Sequence, residues 1–207
     1  MKNIIFDVDR TLVDSYHPEL TTLQEALYLV TGKHYENDVM DKLTVLTTDE
    51  FFRFLGIDDD AMLKQINYHW GRLLQNSPVT MFTDIPELLT FLSEEHCFLA
   101  IATSRTWEEL EEIDDLMKIL SIFDCVITSD KVDKPKPNPE SILTILKQNH
   151  LQPSETVYVG DSESDMLPAK SAGVFFAYAS WDNHDDSITY DYILNTPEDL
   201  KKLLTKS

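Results

Sequence analysis

Six apolar runs constrain the fold of this chain more tightly than any other feature. They are Asn3–Phe6, Cys97–Ala102, Cys125–Thr128, Thr156–Val159, Val174–Ala177 and Tyr190–Leu194. Amphipathic helical patterns fall at Pro86–Glu95, Thr106–Leu120, Pro139–Asn149, Ser164–Ala172 and Pro197–Leu204. Near-continuous apolar strands separated by helices predict a parallel sheet covered on both faces. Punctuation agrees: Pro86, Pro139 and Pro197 suit first helical positions, Asn138 and Thr196 suit caps, and Gly173 suits a helix end.

One stretch departs from the alternation. From Tyr16 to Val79 there is no convincing strand, only helical stripes marked by Leu20, Leu23, Leu27 and Val30, by Phe51, Phe52 and Leu55, and by Leu63, Ile66, Trp70 and Leu74. This predicts a helical domain over residues 16–79, inserted into a discontinuous α/β core made of 1–15 and 80–207. Aromatic residues at helical spacing in the insertion are read as core.

The chemistry is written at the strand ends. The run Ile4-Ile5-Phe6-Asp7-Val8-Asp9-Arg10-Thr11-Leu12 is a strand that ends in two acids one residue apart. Strand side chains alternate, so Asp7 and Asp9 project the same way and repel unless a cation or proton sits between them. That suits a Mg²⁺ site beside an aspartate nucleophile. Ala102-Thr103-Ser104-Arg105-Thr106 turns from strand to helix, and its hydroxyls and amides suit an anion seat or an ordinary helix cap. Asp133-Lys134-Pro135-Lys136-Pro137-Asn138-Pro139 is a proline-stiffened segment that fixes its lysines. Val159-Gly160-Asp161-Ser162-Glu163-Ser164-Asp165 ends an apolar strand in acids, with Asp161 placed to reach a cation and Asp165 to support it or to orient a lysine. Ligands bind at this edge of open parallel sheets.

Composition narrows the function. The formal net charge is -20. Such a surface opposes nucleic acid and anionic membranes, since no basic stripe offsets phosphate repulsion. Cys97 and Cys125 sit in apolar runs and read as free thiols in a reducing compartment. No signal peptide or membrane-spanning run is apparent, so the expectation is a cytoplasmic protein. Trp181-Asp182-Asn183-His184-Asp185-Asp186 lacks ligand spacing and reads as a solvated acidic loop.

In order along the chain, Asp-x-Asp-x-Thr, a Thr after the second core strand, Lys-Pro-x-Pro and Gly-Asp-x-x-x-Asp together resemble the haloacid dehalogenase-like hydrolase superfamily. The helical insertion resembles the cap of its phosphoglycolate phosphatase and β-phosphoglucomutase branch, and Phe82-Thr83-Asp84-Ile85-Pro86-Glu87-Leu88-Leu89 resembles that branch's re-entry into the core. The resemblance implies a Rossmann-like α/β core with an all-α cap, and a Mg²⁺-dependent phosphatase acting on a small phosphorylated metabolite. It implies Asp7 as nucleophile and Asp9 as general acid and base. Thr103, Ser104 and Lys136 would hold the phosphoryl group, and Asp7, the Asp9 carbonyl and Asp161 would hold Mg²⁺ with support from Asp165. Lys134 and Lys136 both fit Lys-Pro-x-Pro; the resemblance implies Lys136, whose distance to Asp161 and following residues match that branch's pattern, with Lys134 as the alternative.

Two departures stand out. Arg10 replaces the usual Gly of the first motif, and is expected to alter the turn or to point toward the cap and substrate. Thr48 or its neighbours stand where β-phosphoglucomutase-like proteins carry a phosphate-gripping Arg, which weakens a mutase reading. The alternatives are a phosphomutase, or a regulatory or binding member with little turnover.

Overall fold

The computed structural model describes residues 2–44, 46–182 and 185–204. It divides into two compact units, one of residues 1–14 with 80–207 and one of 15–79. In chain order the strands are β1 (Asn3–Phe6), β2 (Val13–Asp14), β3 (Thr80–Met81), β4 (Phe98–Ala102), β5 (Cys125–Ile127), β6 (Thr156–Gly160), β7 (Phe175–Ala179) and β8 (Tyr192–Leu194). The α-helices are α1 (Tyr16–Thr31), α2 (Asn37–Met40), α3 (Thr48–Phe54), α4 (Asp60–Leu74), α5 (Ile85–Glu94), α6 (Trp107–Glu111), α7 (Asp114–Ile119), α8 (Glu140–Gln148), α9 (Glu163–Ala172) and α10 (Asp199–Leu204).

The larger unit is an α/β fold. Its sheet has the order β5-β4-β1-β6-β7-β8, and every pairing in it is parallel. The six apolar runs therefore became its six strands, because only a sheet covered on both sides can bury such runs. Ile5, Ala100, Tyr158 and Phe176 pack against Ile142, Ile145 and Leu146 of α8 and Met166, Ala169 and Ala172 of α9. Their strand neighbours Ile4, Phe6, Leu99, Ile101, Val157 and Val159 are equally buried and point the opposite way. Leu88, Leu89 and Leu92 of α5 and Leu116 of α7 are buried as well.

Register places the site. Phe6 pairs with Ile101 on one side and with Val159 on the other. The C-terminal ends of β4, β1 and β6 are thus level, and the residues just beyond them emerge side by side. The Asp7 amide donates to the Val159 carbonyl at 2.9 Å, and the Thr103 amide to Ile127 at 3.1 Å, so the ladder continues one step past the strands.

The helical unit has its own core. Leu23, Ala26 and Leu27 of α1, Phe51 and Phe52 of α3, Ile66 of α4, and Met40 and Ile57 form one buried cluster. The Trp70 indole donates to the Glu19 carbonyl at 3.3 Å, tying α4 to α1. A capping box between Thr47 and Glu50 opens α3.

Local details differ from expectation. The span Thr106–Leu120 forms two short helices, α6 and α7, joined at Glu112-Ile113. Acids at Glu108, Glu109, Glu111, Glu112, Asp114 and Asp115 repel along one helix, while the joint lets Ile113 turn inward and bury. A small antiparallel pair, β2 with β3, had no sequence signal beyond two short apolar patches. Pro139 is the residue before α8, and α10 starts at Asp199, whose carboxylate accepts from the Asn195 and Thr196 amides. Gly173 does close α9, with φ 73°. Among the described residues no helix is long and apolar enough to cross a membrane.

Candidate active site

Three carboxylates meet where β1 and β6 end. Asp7, Asp161 and Asp165 each offer an oxygen, and these lie within 4.8 Å of one another. Asp7 follows β1 directly, Asp161 follows β6, and Asp165 sits in the first turn of α9. Gly160 makes the close approach possible. A Cβ built on it would come 2.5 Å from the Asp165 Cβ, nearer than real side chains stand.

Lys136 binds this group together. Its Nζ donates to Asp7 Oδ1 at 2.6 Å, to Asp165 Oδ1 at 2.7 Å and to the Tyr158 hydroxyl at 3.1 Å. The lysine side chain is 4% exposed, so these contacts form out of water. Lys134 is exposed and does not enter the group; its amide donates to Glu140 instead. Asp165 is engaged on both oxygens, because Oδ2 accepts from the Ser162 amide at 3.2 Å and hydroxyl at 2.7 Å. One residue thus caps α9 and holds the lysine.

Burial governs the charge balance. It pushes the Asp7 carboxyl well above the carboxylate range, against the attraction of Lys136 and with the repulsion of Asp165, Asp9 and Asp161. Burial likewise drives Asp161 up to about 7, with the Asp165 charge adding to it and Arg10 and Lys136 opposing. For Lys136, burial works against the ammonium, but Asp165 and Asp7 outweigh it and the net direction is upward. Hard oxygen donors that are buried and mutually repelling are the donor set a small divalent cation satisfies.

The Asp9 carboxylate is not one of the three that gather there. Its carboxylate is held by Arg105, whose Nε and Nη2 donate to it. Thr103 is buried and its Oγ1 accepts from the Arg105 amide at 3.1 Å, while Ser104 is exposed. Both sit just past β4, beside Asp7 in the neighbouring strand.

No sequence pattern singles out Arg105 or Tyr158 as a site residue. Tyr158 left a faint signal, a hydroxyl inside an apolar strand run two residues before Gly160. Its oxygen also lies 2.8 Å from the Ala102 carbonyl, which ties β4 to β6 beneath the carboxylates. Arg10 does alter the turn, with φ 57°, and its Nε donates to Asp182 at 2.7 Å and stands 3.5 Å from Asp161 Oδ2. The solvated loop expected from the sequence fails at Asp182, whose side chain pairs with Arg10 and is 1% exposed. Asn183 and His184 of that loop lie outside the described residues.

The family model described as haloacid dehalogenase-like hydrolase matches residues 4–179. The pyrophosphatase PpaX of Bacillus velezensis is 30% identical over 183 residues, which cover 86% of this chain and 82% of that protein. A phosphoglycolate phosphatase of Aquifex aeolicus is 26% identical over 207 residues, covering 99% and 97%. The crystal structure of a putative phosphoglycolate phosphatase from Lactobacillus plantarum superposes with a TM-score of 0.74 at 25% identity, covering 98% of each chain. The family match spans every strand end that carries an acid or Thr103, and the chain belongs to the haloacid dehalogenase-like hydrolases.

Proposed function

We propose that this protein is a Mg²⁺-dependent phosphatase that hydrolyses a small phosphorylated metabolite through a phosphoryl group carried on Asp7. The observation that carries the reading is the buried lysine bridging Asp7 and Asp165, with Asp161 alongside. Asp7, Asp161 and the Asp9 carbonyl would hold the cation, with Asp165 behind them. When bound, Mg²⁺ supplies positive charge that offsets the repulsion between a phosphate ester and its attacking carboxylate.

The chain's own residues do the rest. Asp7 attacks phosphorus in line with the ester oxygen, and needs no separate base because Lys136 and the cation that Asp7 would hold favour its ionised form against the burial that raises its pKa. Lys136, Thr103 and the Ser104 amide hold the phosphoryl oxygens. Asp9 gives a proton to the leaving oxygen, then takes one from the water that releases phosphate from Asp7. Arg105 orients Asp9. We assign residues 16–79 the part of a cap domain and the choice of leaving group, and place the protein in the cytoplasm, without nucleic-acid or membrane partners.

Relatives named as a phosphoglycolate phosphatase and a pyrophosphatase make phosphoglycolate and pyrophosphate the first substrates to try. The test is release of phosphate from a panel of phosphorylated metabolites and p-nitrophenyl phosphate, with Mg²⁺ and with EDTA. Metal-dependent turnover that vanishes in Asp7→Asn is expected. Full activity in that variant would remove Asp7 as nucleophile, and no activity with any metal would favour a binding role.

A further inference from the structure

Arg10 stands at a place in the backbone that does not suit it. Its φ is 57°, in the left-handed region where glycine sits freely and a side chain with a Cβ is strained. The turn around it is tight, with the Arg10 amide donating to the Val13 carbonyl at 2.7 Å and the Leu12 amide to Val8 at 2.9 Å. Strain of this kind persists only where the surrounding structure over-determines it, and it clusters at functional sites.

What Arg10 reaches is specific. Its Nε lies 2.7 Å from Asp182 Oδ2 and 3.5 Å from Asp161 Oδ2. All three side chains are largely withdrawn from solvent, at 19%, 1% and 12% exposure for Arg10, Asp182 and Asp161. Lys136 is committed to Asp7 and Asp165, and among the described residues Arg10 is the cation that stands against Asp161.

We infer that Arg10 is a positioning residue that serves as an internal counter-cation for Asp161, competing with the divalent cation for that carboxylate, and that Asp182 anchors it at the edge of the cluster. The inference rests on the reading that Asp7 and Asp161 hold Mg²⁺. Two like charges sharing one buried carboxylate repel strongly, since little water lies between them to screen the interaction. Arg10 therefore stabilises the metal-free arrangement and loosens the grip on metal. Asp182 limits that competition by drawing the guanidinium toward itself.

Mg²⁺ binding by isothermal titration calorimetry, above about pH 8 where protons compete little, tests this on the full-length protein, alongside melting temperatures in EDTA and in Mg²⁺. Arg10→Gln and Arg10→Gly should each bind Mg²⁺ about tenfold more tightly than wild type. Arg10→Lys, which keeps the charge, should remain near wild type. Arg10→Gln should melt lower in EDTA and gain more from Mg²⁺ than wild type does. Asp182→Asn should weaken Mg²⁺ binding several-fold while Arg10 is present, and much less in the Arg10→Gln background. Equal or weaker binding by Arg10→Gln and Arg10→Gly would overturn the inference. So would an Asp182→Asn effect of the same size with and without Arg10. A wild type that shows no Mg²⁺ response would overturn the metal reading together with this inference. A responsive wild type matched by unaltered Arg10 variants would overturn this inference alone.

Discussion

Arg105 forks onto Asp9: Nε lies 3.1 and 2.9 Å from the two carboxylate oxygens, and Nη2 lies 2.6 Å from Oδ1. A planar guanidinium fixes a carboxylate in direction as well as in place. In the proposed chemistry that carboxylate moves protons, and its aim decides how well it does so. Arg105→Gln should lower kcat on p-nitrophenyl phosphate by about tenfold, and Asp9→Asn by about a hundredfold or more. The double variant should be no slower than Asp9→Asn alone, because the arginine acts through the aspartate. Steady-state kinetics on the four proteins decides this, and multiplying effects would show that Arg105 works independently.

Lys136 bridges two buried carboxylates with one positive charge. Replacing it by Met leaves Asp7 and Asp165 without their shared cation. Breaking a buried pair in this way typically destabilises by about 3 kcal/mol or more. Urea unfolding of Lys136→Met in EDTA should show a loss of that order. The loss should shrink at lower pH, because burial already raises the Asp7 pKa and a proton can replace the missing charge. Added Mg²⁺ should restore part of the stability. A variant as stable as wild type at neutral pH would mean that the bridge contributes little.

Gly160 leaves no room for a methyl group against Asp165. Gly160→Ala must push either β6 or α9 aside, at a cost of about 1–3 kcal/mol for overpacking. The displaced residue also caps α9 and holds Lys136, so kcat should fall along with the melting temperature. Thermal unfolding and turnover measured on one preparation check both. An unchanged melting temperature would show that the backbone adapts freely.

Asp161 gives the site a pH dependence with a definite sign. Its carboxyl is raised from the ordinary range to about 7 in the folded protein. Its contribution to metal-free stability is thus present at acid pH and is lost as pH rises toward about 7, where a buried charge forms beside Asp165. A cation must displace the same proton. Mg²⁺ affinity should therefore rise by up to about tenfold per pH unit below about pH 7 and level off above it. Calorimetric titrations in buffers of different ionisation enthalpy would record both the affinity and the proton released. Flat affinity across that window would argue that Asp161 is already ionised.

The amino-acid sequence alone determined the six strands, the helical insertion and the acids at the strand ends. Its apolar runs at β1, β4 and β6 are too continuous for any element exposed on one side, and the residues that follow them, Asp7, Thr103 and Asp161, are polar where the strands must stop. The resemblance to the family's Lys-Pro-x-Pro pattern pointed to Lys136 over Lys134, and the structure brings Lys136 to the carboxylates.

Tertiary structure alone decided which side chains meet across those ends. Asp9 and Arg105 are 96 residues apart, and Arg10 and Asp182 are 172 apart. Their contact depends on the register of separate strands and on how the loops after them turn, neither of which leaves a local pattern in the chain. The same holds for burial. Asp182 belongs to a run of acids that looks solvated in sequence, and it becomes a buried ion-pair partner because Arg10, across the sheet edge, supplies the charge that makes its desolvation tolerable.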